Sequence, residues 1–393
     1  MATEPIPPAG DDPLRLVRTA RSLLAKGGVL ESTAGGEQID DGVLRAALER
    51  QLREHAPADG AGPLAAQAAA AEVVGNARRA LERVAAGESA TSLSDAEVSS
   101  LEAIVLVTGR PAARYLDGRV QMPAVDLGEN DRWRVLVATA RSKIDRASAS
   151  VGQVALDLPS GARDPVGTAW RLGDDLVVTN RHVARELVPD RDAPVASWAL
   201  DPAKPSSVDF AATDGAAAPR RFALAALVYC APDAWVDLAV LRLERGDAQL
   251  PAALGLEWDA AALGLPLPGT PGAAESAAQG EAVYVVGHPY QLLGTQATRA
   301  VFGAVDGRKR WSPGLVTTLA PEAPHLEHDC STLGGNSGSC VLSVSWHRVV
   351  GVHFAGLGVD PATAVGRANV AVALARLGDH PAACILRNGR VPA

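Results

Sequence analysis

The chain has 393 residues, of which 47% are hydrophobic and 21% charged, and its formal net charge is −8 at pH 7. This length permits a sizeable core and favours two domains. No apolar run approaches the roughly 18 residues of a membrane helix, and the acidic balance without any basic run interleaved with aromatics argues against a nucleic-acid partner. The N-terminal stretch MATEPIPPAGDDP has acids and prolines where a secretory signal has basic and then apolar residues, so we expect a cytoplasmic protein.

The first 115 residues are typical of a small, mostly α-helical domain. Ser94 and Glu97 have the spacing of a capping box before an apolar run. Such a domain suits an adaptor, an inhibitory element or a prodomain, and these roles stay open. Apolar residues recur at helical spacing in four stretches: Leu14–Ala25, Val43–His55, Ala65–Ala86 and a segment that starts at Leu93.

Residues 116–149 are predicted to connect this domain to the rest of the chain. Asp117-Gly118 between two short runs indicates a hairpin, and DRWRVLVATARSKIDRAS favours a helix. From residue 150 to residue 393, short β-branched runs alternate with Gly, Pro and Asp turns, which indicates an all-β barrel or sandwich. The Pro- and Ala-rich stretch Leu250–Ala278 is expected to be a surface insertion.

Three polar residues lie where strands of this region meet turns. His182 follows the predicted hairpin AWRLGDDLVVTN, and Asp237 interrupts AWVDLAVLRL, a run apolar on both faces in which a carboxylate needs a partner. Ser337 lies within GGNSG. Serine, histidine and aspartate can act as a nucleophile, its base and the group that orients the base. The glycines allow the backbone amides of Gly335 and Ser337 to approach an oxyanion.

The order of these residues and the motifs TNRHVA, DLAVLRL and GGNSGS resemble those of the trypsin/chymotrypsin-fold serine proteases. The resemblance covers residues 150–393 and implies a double β-barrel with a catalytic triad in the cleft between barrels. It further implies a serine endopeptidase that acts on protein or peptide substrates by acyl transfer and needs no metal or organic cofactor. Asn336 stands where the digestive enzymes carry an aspartate that pairs with a newly cut N-terminus, so that activation switch cannot operate in its usual form.

The stretches CSTLGGNSGSCV and VVGVHFAG resemble bacterial glutamyl endopeptidases and their intracellular relatives. In the glutamyl enzymes a threonine and a histidine line the specificity pocket, and the matching positions are Thr332 and His353. The resemblance implies cleavage after glutamate. Those enzymes also use the free amino terminus of the mature chain, a contribution expected only if this chain is cut, for example after Glu129. Small or apolar residues before the scissile bond remain the alternative, with His353 as a residue that caps a strand or only shapes the pocket.

Two other functions compete with this interpretation. The nucleophile elbow of an α/β-hydrolase needs a glycine where Ser339 stands, and a helix where CVLSVSW follows. The second alternative is a restrained or silent protease fold that serves as a binding or signalling component in a bacterial defence or stress system. The presence of His182, Asp237 and Ser337 argues for retained catalysis.

The remaining histidines and the cysteines are expected to be structural. His288 follows a strand, His347 lies at a predicted hairpin turn, and the spacing of His325 and His328 fits no established metal site. The four cysteines are too few and too scattered for a disulfide framework, and none forms a CxxC pair. Buried free thiols are expected, with a Cys330–Cys340 bridge as the alternative, at the positions Cys230, Cys330, Cys340 and Cys384.

Overall fold

The fold was obtained as a computed structural model of the chain. The helix predicted over Leu14–Ala25 lies outside the described residues. No helix within the described ranges combines the length and the apolar character that crossing a bilayer requires. The structure describes residues 41–54, 63–86, 88, 92–94, 96–97, 100–101, 109–122, 130–216, 218–233, 235–246, 248–263, 280–290, 306–319, 324–356 and 369–388.

Two helices at the N-terminal side, α1 (Asp41–Glu54) and α2 (Pro63–Ala85), pack against each other. Alanine-rich α2 has high intrinsic helix propensity, and the apolar faces of both helices are buried. The predicted helices over Val43–His55 and Ala65–Ala86 are confirmed. The capping box is confirmed as well, because the Ser94 amide donates to Glu97 Oε2 at 2.8 Å and the Glu97 amide donates to Ser94 Oγ at 3.4 Å.

A hairpin and a long helix follow before the barrels. The hairpin, β1 (Ala113–Leu116) and β2 (Arg119–Gln121), turns at Asp117-Gly118, where both residues have positive φ as a two-residue turn requires. Helix α3 (Asn130–Ala149) confirms the predicted helix and buries Trp133, Val137 and Ile144. The sequence-based boundary after residue 115 falls inside strand β1.

The first barrel is closed by six strands in the order β3-β4-β5-β8-β7-β6. The predicted turn is confirmed, since Gly173 and Leu176 pair across Asp174-Asp175. A short helix, α4 (Arg181–Glu186), follows β5, and alternate apolar side chains fill the barrel. The strands are β3 (Val151–Asp157), β4 (Arg163–Gly173), β5 (Leu176–Thr179), β6 (Ser206–Asp209), β7 (Arg221–Cys230) and β8 (Ala239–Leu243).

The second barrel contains six strands that pair in the order β10-β11-β14-β13-β12-β9, and pairing of β9 with β10 closes it. Strand β10 also pairs with β1, so the N-terminal hairpin extends this sheet. The predicted double β-barrel is therefore confirmed. The strands are β9 (Ala282–Gly287), β10 (Arg310–Leu319), β11 (His325–His328), β12 (Cys340–Ser343), β13 (Val349–Gly356) and β14 (Asn369–Ala373).

The barrels share an apolar core that lies between them. Trp170 of the first barrel and Tyr284 of the second belong to one buried cluster, together with side chains of α3 and of the C-terminal helix α5 (Pro381–Asn388). Removal of this surface from water is the main force that fixes one barrel against the other. Residues at the junction therefore have defined positions relative to each other.

Two sequence-based expectations need correction here. The part of Leu250–Ala278 that is described is not a surface insertion, because Leu254 and Leu263 are buried and the Leu254 amide donates to Arg171 O at 3.0 Å. All four cysteines are free, as expected, but only Cys330 and Cys340 are buried, whereas Cys384 is exposed.

Candidate functional site

His182 and Asp237 form a doubly bonded pair on the first barrel. Strand β5 ends at Thr179, and His182 is the second residue of α4. Its Nδ1 lies 2.5 Å from Asp237 Oδ2, and its backbone amide donates to Oδ1 of the same carboxylate at 3.0 Å. Asn180 Nδ2 also donates to the Asp237 carbonyl at 2.7 Å. This arrangement fixes the imidazole ring, and Nε2, which bonds no other described residue, is the nitrogen that can accept a proton.

The expected position of Asp237 inside a buried strand is wrong. Asp237 lies two residues before β8, and its side chain is 14% exposed, whereas the neighbouring Val236 and Leu238 are buried. The apolar pattern of the sequence misled the prediction because these neighbours belong to a bend that packs into the core rather than to the strand itself. The partner that this largely buried carboxylate requires is present as His182.

Ser337 lies in the loop between β11 and β12, whose carbonyl groups are held by neighbouring amides. Gly334 O accepts from the Tyr290 amide at 2.6 Å, and Asn336 O accepts from the Ser339 amide at 2.9 Å. In a trans peptide the N–H points opposite to the C=O, so the amides of Gly335 and Ser337 point away from these partners. Neither amide donates to a protein acceptor within the described residues.

Glycine is required in this loop for steric reasons. Gly335 has φ +84, and a Cβ there would clash with the His288 carbonyl oxygen. Gly338 has φ +88, and a Cβ there would clash with the Thr168 carbonyl oxygen. Both the left-handed backbone conformation and the close approach of other backbone atoms therefore exclude side chains. The glycines that flank the serine in sequence thus allow the loop to fold tightly against both barrels.

Packing brings Ser337 to the same junction as His182. A Cβ at Gly167 of β4 would contact both the Val183 side chain, next to His182, and the Ser337 carbonyl oxygen. The Thr168 amide donates to Ser337 O at 2.8 Å, across the two barrels. Ser337 is partly exposed, and no hydrogen bond joins it to His182 among the described residues. The site thus has an assembled histidine–aspartate pair with a nearby serine.

Thr332 and His353 are both buried on the second-barrel side. Thr332 Oγ1 donates to Asn369 Oδ1 at 2.5 Å, and His353 Nδ1 lies 3.3 Å from His328 Nε2. Burial lowers the pKa of His353 well below its usual value, and the neighbouring His328 and His182 lower it further. Burial also lowers the pKa of His328 to about 3. Both imidazoles are therefore neutral near pH 7.

Further side chains lie near the candidate site residues. Sequence reasoning missed Asn369, which donates through Nδ2 to Cys330 O at 2.5 Å, since no motif marks it. It also missed Trp235, which is 38% exposed and stacks on His325 with ring centroids 6.4 Å apart. His325 in turn packs against Phe354 at 5.2 Å and approaches Trp235 O through Nε2 at 2.7 Å. Trp235 is two residues before Asp237 in the chain, so this aromatic group lies next to the segment that holds Asp237.

His288 and His347 occupy structural positions. His288 is fully buried, its Nδ1 lies 2.9 Å from Gly307 O, and burial holds its pKa well below the usual value. His347 has φ +54 at the turn between β12 and β13, and its Nδ1 lies 3.0 Å from the Tyr284 hydroxyl. Within the described ranges no group of three or more His, Cys, Asp or Glu side chains is arranged to hold a metal.

Residues 167–352 match the family model of the trypsin-like peptidase domain. The match runs from β4 to β13 and includes His182, Asp237 and Ser337. Among solved structures, the active form of the Rv3671c protease from M. tuberculosis is similar, with 16% sequence identity, a TM-score of 0.36 and coverage of 63% of this chain and 85% of that chain. A search of the curated proteins finds no match. The family match supports a peptidase.

Proposed function

We propose that the chain is a serine endopeptidase in which His182, Asp237 and Ser337 form the catalytic triad. The observation that carries this proposal is the double hydrogen bond between His182 and the Asp237 carboxylate, made on the barrel that faces the Ser337 loop. An ionised carboxylate on Nδ1 holds the imidazole in the tautomer whose Nε2 accepts a proton. The alternative of a silent fold gives no reason to maintain this pair beside two amides that have no acceptor in the described part of the chain.

Acyl transfer follows from this arrangement. Ser337 Oγ attacks the peptide carbonyl and transfers its proton to His182 Nε2, while Asp237 stabilises the imidazolium. The amides of Gly335 and Ser337 stabilise the oxyanion, and each such donor typically contributes about 3 kcal/mol. His182 then protonates the leaving amine, and water hydrolyses the acyl-enzyme by the same steps. The Ser337–His182 hydrogen bond is expected to form when substrate fills the cleft.

We further propose that a pocket containing His353 and Thr332 binds the glutamate that precedes the scissile bond. The structure gives His353 a partner, because His328 Nε2–H can donate to His353 Nδ1 across 3.3 Å. In that tautomer His353 Nε2 carries the proton and can donate to a substrate carboxylate. Thr332 contributes less than the resemblance implies, since its hydroxyl proton is already donated to Asn369. The glutamate preference therefore depends on His353 rather than on the threonine.

The test is cleavage-site profiling of a peptide library by mass spectrometry with the wild-type chain, Ser337→Ala, His353→Gln and the control His347→Gln, which changes a histidine at a turn. We expect cuts that require Ser337 and that follow glutamate. His353→Gln should remove the glutamate preference while serine-dependent cleavage persists. Cuts after other residues in the wild type would refute the pocket, and an absence of serine-dependent cuts would favour the restrained or silent alternative.

The N-terminal segment is proposed to regulate this site or to recruit partners to it. Arg110 Nη2 donates to Asp329 Oδ2 at 2.7 Å, and Ser331 Oγ donates to Arg110 O, directly before Thr332 in the chain. This contact links residues upstream of the barrels to a wall of the pocket. A specific cleavage site inserted between residues 101 and 109 of the full chain tests the role of α1 and α2. Faster hydrolysis after cutting indicates restraint by the helical region, and equal rates exclude it.

A further inference from the structure

Thr168, in strand β4, is fully buried and contacts the Ser337 loop of the opposite barrel through two groups. Its amide donates to Ser337 O at 2.8 Å, and its hydroxyl Oγ1 donates to Gly335 O at 2.8 Å. The same hydroxyl accepts a hydrogen bond from the His288 amide at 3.1 Å. Its carbonyl accepts from Thr179 Oγ1 at 2.7 Å. One residue of the first barrel therefore bonds the two carbonyls on either side of Asn336.

The two contacts depend on the side chain to different degrees. Any residue other than proline can supply the amide that bonds Ser337 O, but only a hydroxyl can donate to Gly335 O while accepting from His288. The His288 amide occupies an acceptor site of Oγ1 and leaves its proton directed to Gly335. The branched Thr168 side chain has few rotamers, so the hydroxyl is held ready in this direction. Thr168→Val keeps the shape of the side chain but loses the bond to Gly335 O and the bond from the His288 amide.

With this bond in place, the four loop carbonyls from residue 334 to residue 337 all have donors. Gly334 O is bonded by Tyr290, Asn336 O by Ser339 of the same loop, and the carbonyls of Gly335 and Ser337 by Thr168. A carbonyl that loses its donor near the core costs free energy and favours rotation of the peptide. Rotation of the Gly335–Asn336 peptide changes the backbone angles of Gly335, whose own amide is one of the two proposed oxyanion donors.

We propose that Thr168 is a positioning residue, whose hydroxyl on the first barrel holds the oxyanion-binding amides of Gly335 and Ser337 in place. This inference rests on the proposed function of Ser337 and of the Gly335 amide. It predicts a specific kinetic signature, because a misplaced donor weakens binding of the transition state more than binding of the ground state. A purely structural threonine would alter stability without this signature.

The experiment compares Thr168→Val, Thr168→Ser and Thr317→Val in the full chain, with Ser337→Ala as the reference for background. Thr317 is the matched control, since its buried hydroxyl has no hydrogen-bond partner among the residues that the structure describes. We expect Thr168→Val to lower kcat about 10- to 100-fold, with KM changed less than about twofold and with peptide-aldehyde inhibition weakened by a similar factor. Thr168→Ser should recover most of the loss, and Thr317→Val should match the wild type.

The outcomes separate this inference from the proposed function. Thr168→Val with wild-type kcat and aldehyde affinity, beside an inactive Ser337→Ala, overturns only the inference. Equal losses in Thr168→Ser and Thr168→Val, or a loss confined to KM, point to packing and also overturn it. If the wild type and Ser337→Ala are equally unreactive toward peptides and toward a fluorophosphonate probe, the proposed function and the inference fall together.

Discussion

The two barrels organise their halves of the site in different ways. The first barrel uses side chains, with His182 and Asp237 joined by two hydrogen bonds. The second barrel uses its backbone, with a loop in which carbonyls are bonded and the amides of Gly335 and Ser337 donate to no acceptor among the described residues. Side chains can rotate to keep their hydrogen bond when the backbone shifts slightly. Backbone amides cannot, because their direction is set by the backbone itself. We therefore expect substitutions in the first half to affect chemistry alone, and substitutions in the second half to affect chemistry and folding together.

The largest expected effect tests the first half. Asp237→Asn should lower kcat about 10⁴-fold, because the amide donates to His182 Nδ1 and forces the proton onto Nε2. The unfolding midpoint should stay near that of the wild type. The measurement is steady-state hydrolysis beside thermal unfolding, with Asp175→Asn, at the other end of β5, as the control. A fall in stability comparable to the loss of activity would contradict the contrast between the halves.

The next largest effect tests the backbone half. Gly338→Ala should lower the free energy of unfolding by about 2 to 4 kcal/mol and reduce activity, because the residue has positive φ and a Cβ would clash with Thr168 O. Gly173→Ala is the matched control, since a Cβ there has no neighbour within 4 Å. Denaturant unfolding of both variants measures the difference. Equal stability of the two would show that the loop adjusts its backbone freely.

A smaller effect is expected on the stability of the protein at acidic pH. The pKa of His328 is lowered by burial from 6.5 to about 3, so between these values the unfolded chain binds a proton that the folded chain does not. Stability should therefore fall as the pH decreases through this window, by about 1.4 kcal/mol per pH unit for each such histidine. Denaturant unfolding between pH 7 and roughly pH 4 should show a shallower dependence for His328→Gln. An unchanged slope would mean that His328 is protonated in the fold.

The smallest effect is expected on the surface of the first barrel. Arg245 bonds Asp175 at 3.0 Å, but its side chain is 74% exposed. Arg245→Ala should change the free energy of unfolding by less than about 0.5 kcal/mol, because exposed ion pairs gain little over hydration. Chemical denaturation at low and high salt measures this value. A loss above about 1 kcal/mol would indicate that side-chain pairs carry more of the stability of this barrel than the comparison assumes.

The short strands of the barrels could be predicted from the sequence because their signals are local, whereas the double barrel was implied by the resemblance of the motifs around His182, Asp237 and Ser337 to a known family. Turn residues such as Asp174-Asp175 and the short motif around Ser337 depend on neighbours in the chain. Distant partners define the roles of Thr168, His328 and Asn369, at separations of 167, 25 and 37 residues. The spacing of apolar residues along the chain does not predict such contacts. The misplacement of Asp237 has a related cause, since an apolar run reports burial rather than extended conformation.

The hairpin that extends the second barrel has a consequence for how the chain can be divided. Strand β1 pairs with β10, and Trp133 of α3 donates through Nε1 to Gly109 O at 2.8 Å. A break in the backbone between residues 122 and 130 would therefore yield two polypeptides that remain associated as a nicked complex. Separation on a denaturing gel would reveal such processing, whereas the native mass of the particle would stay the same.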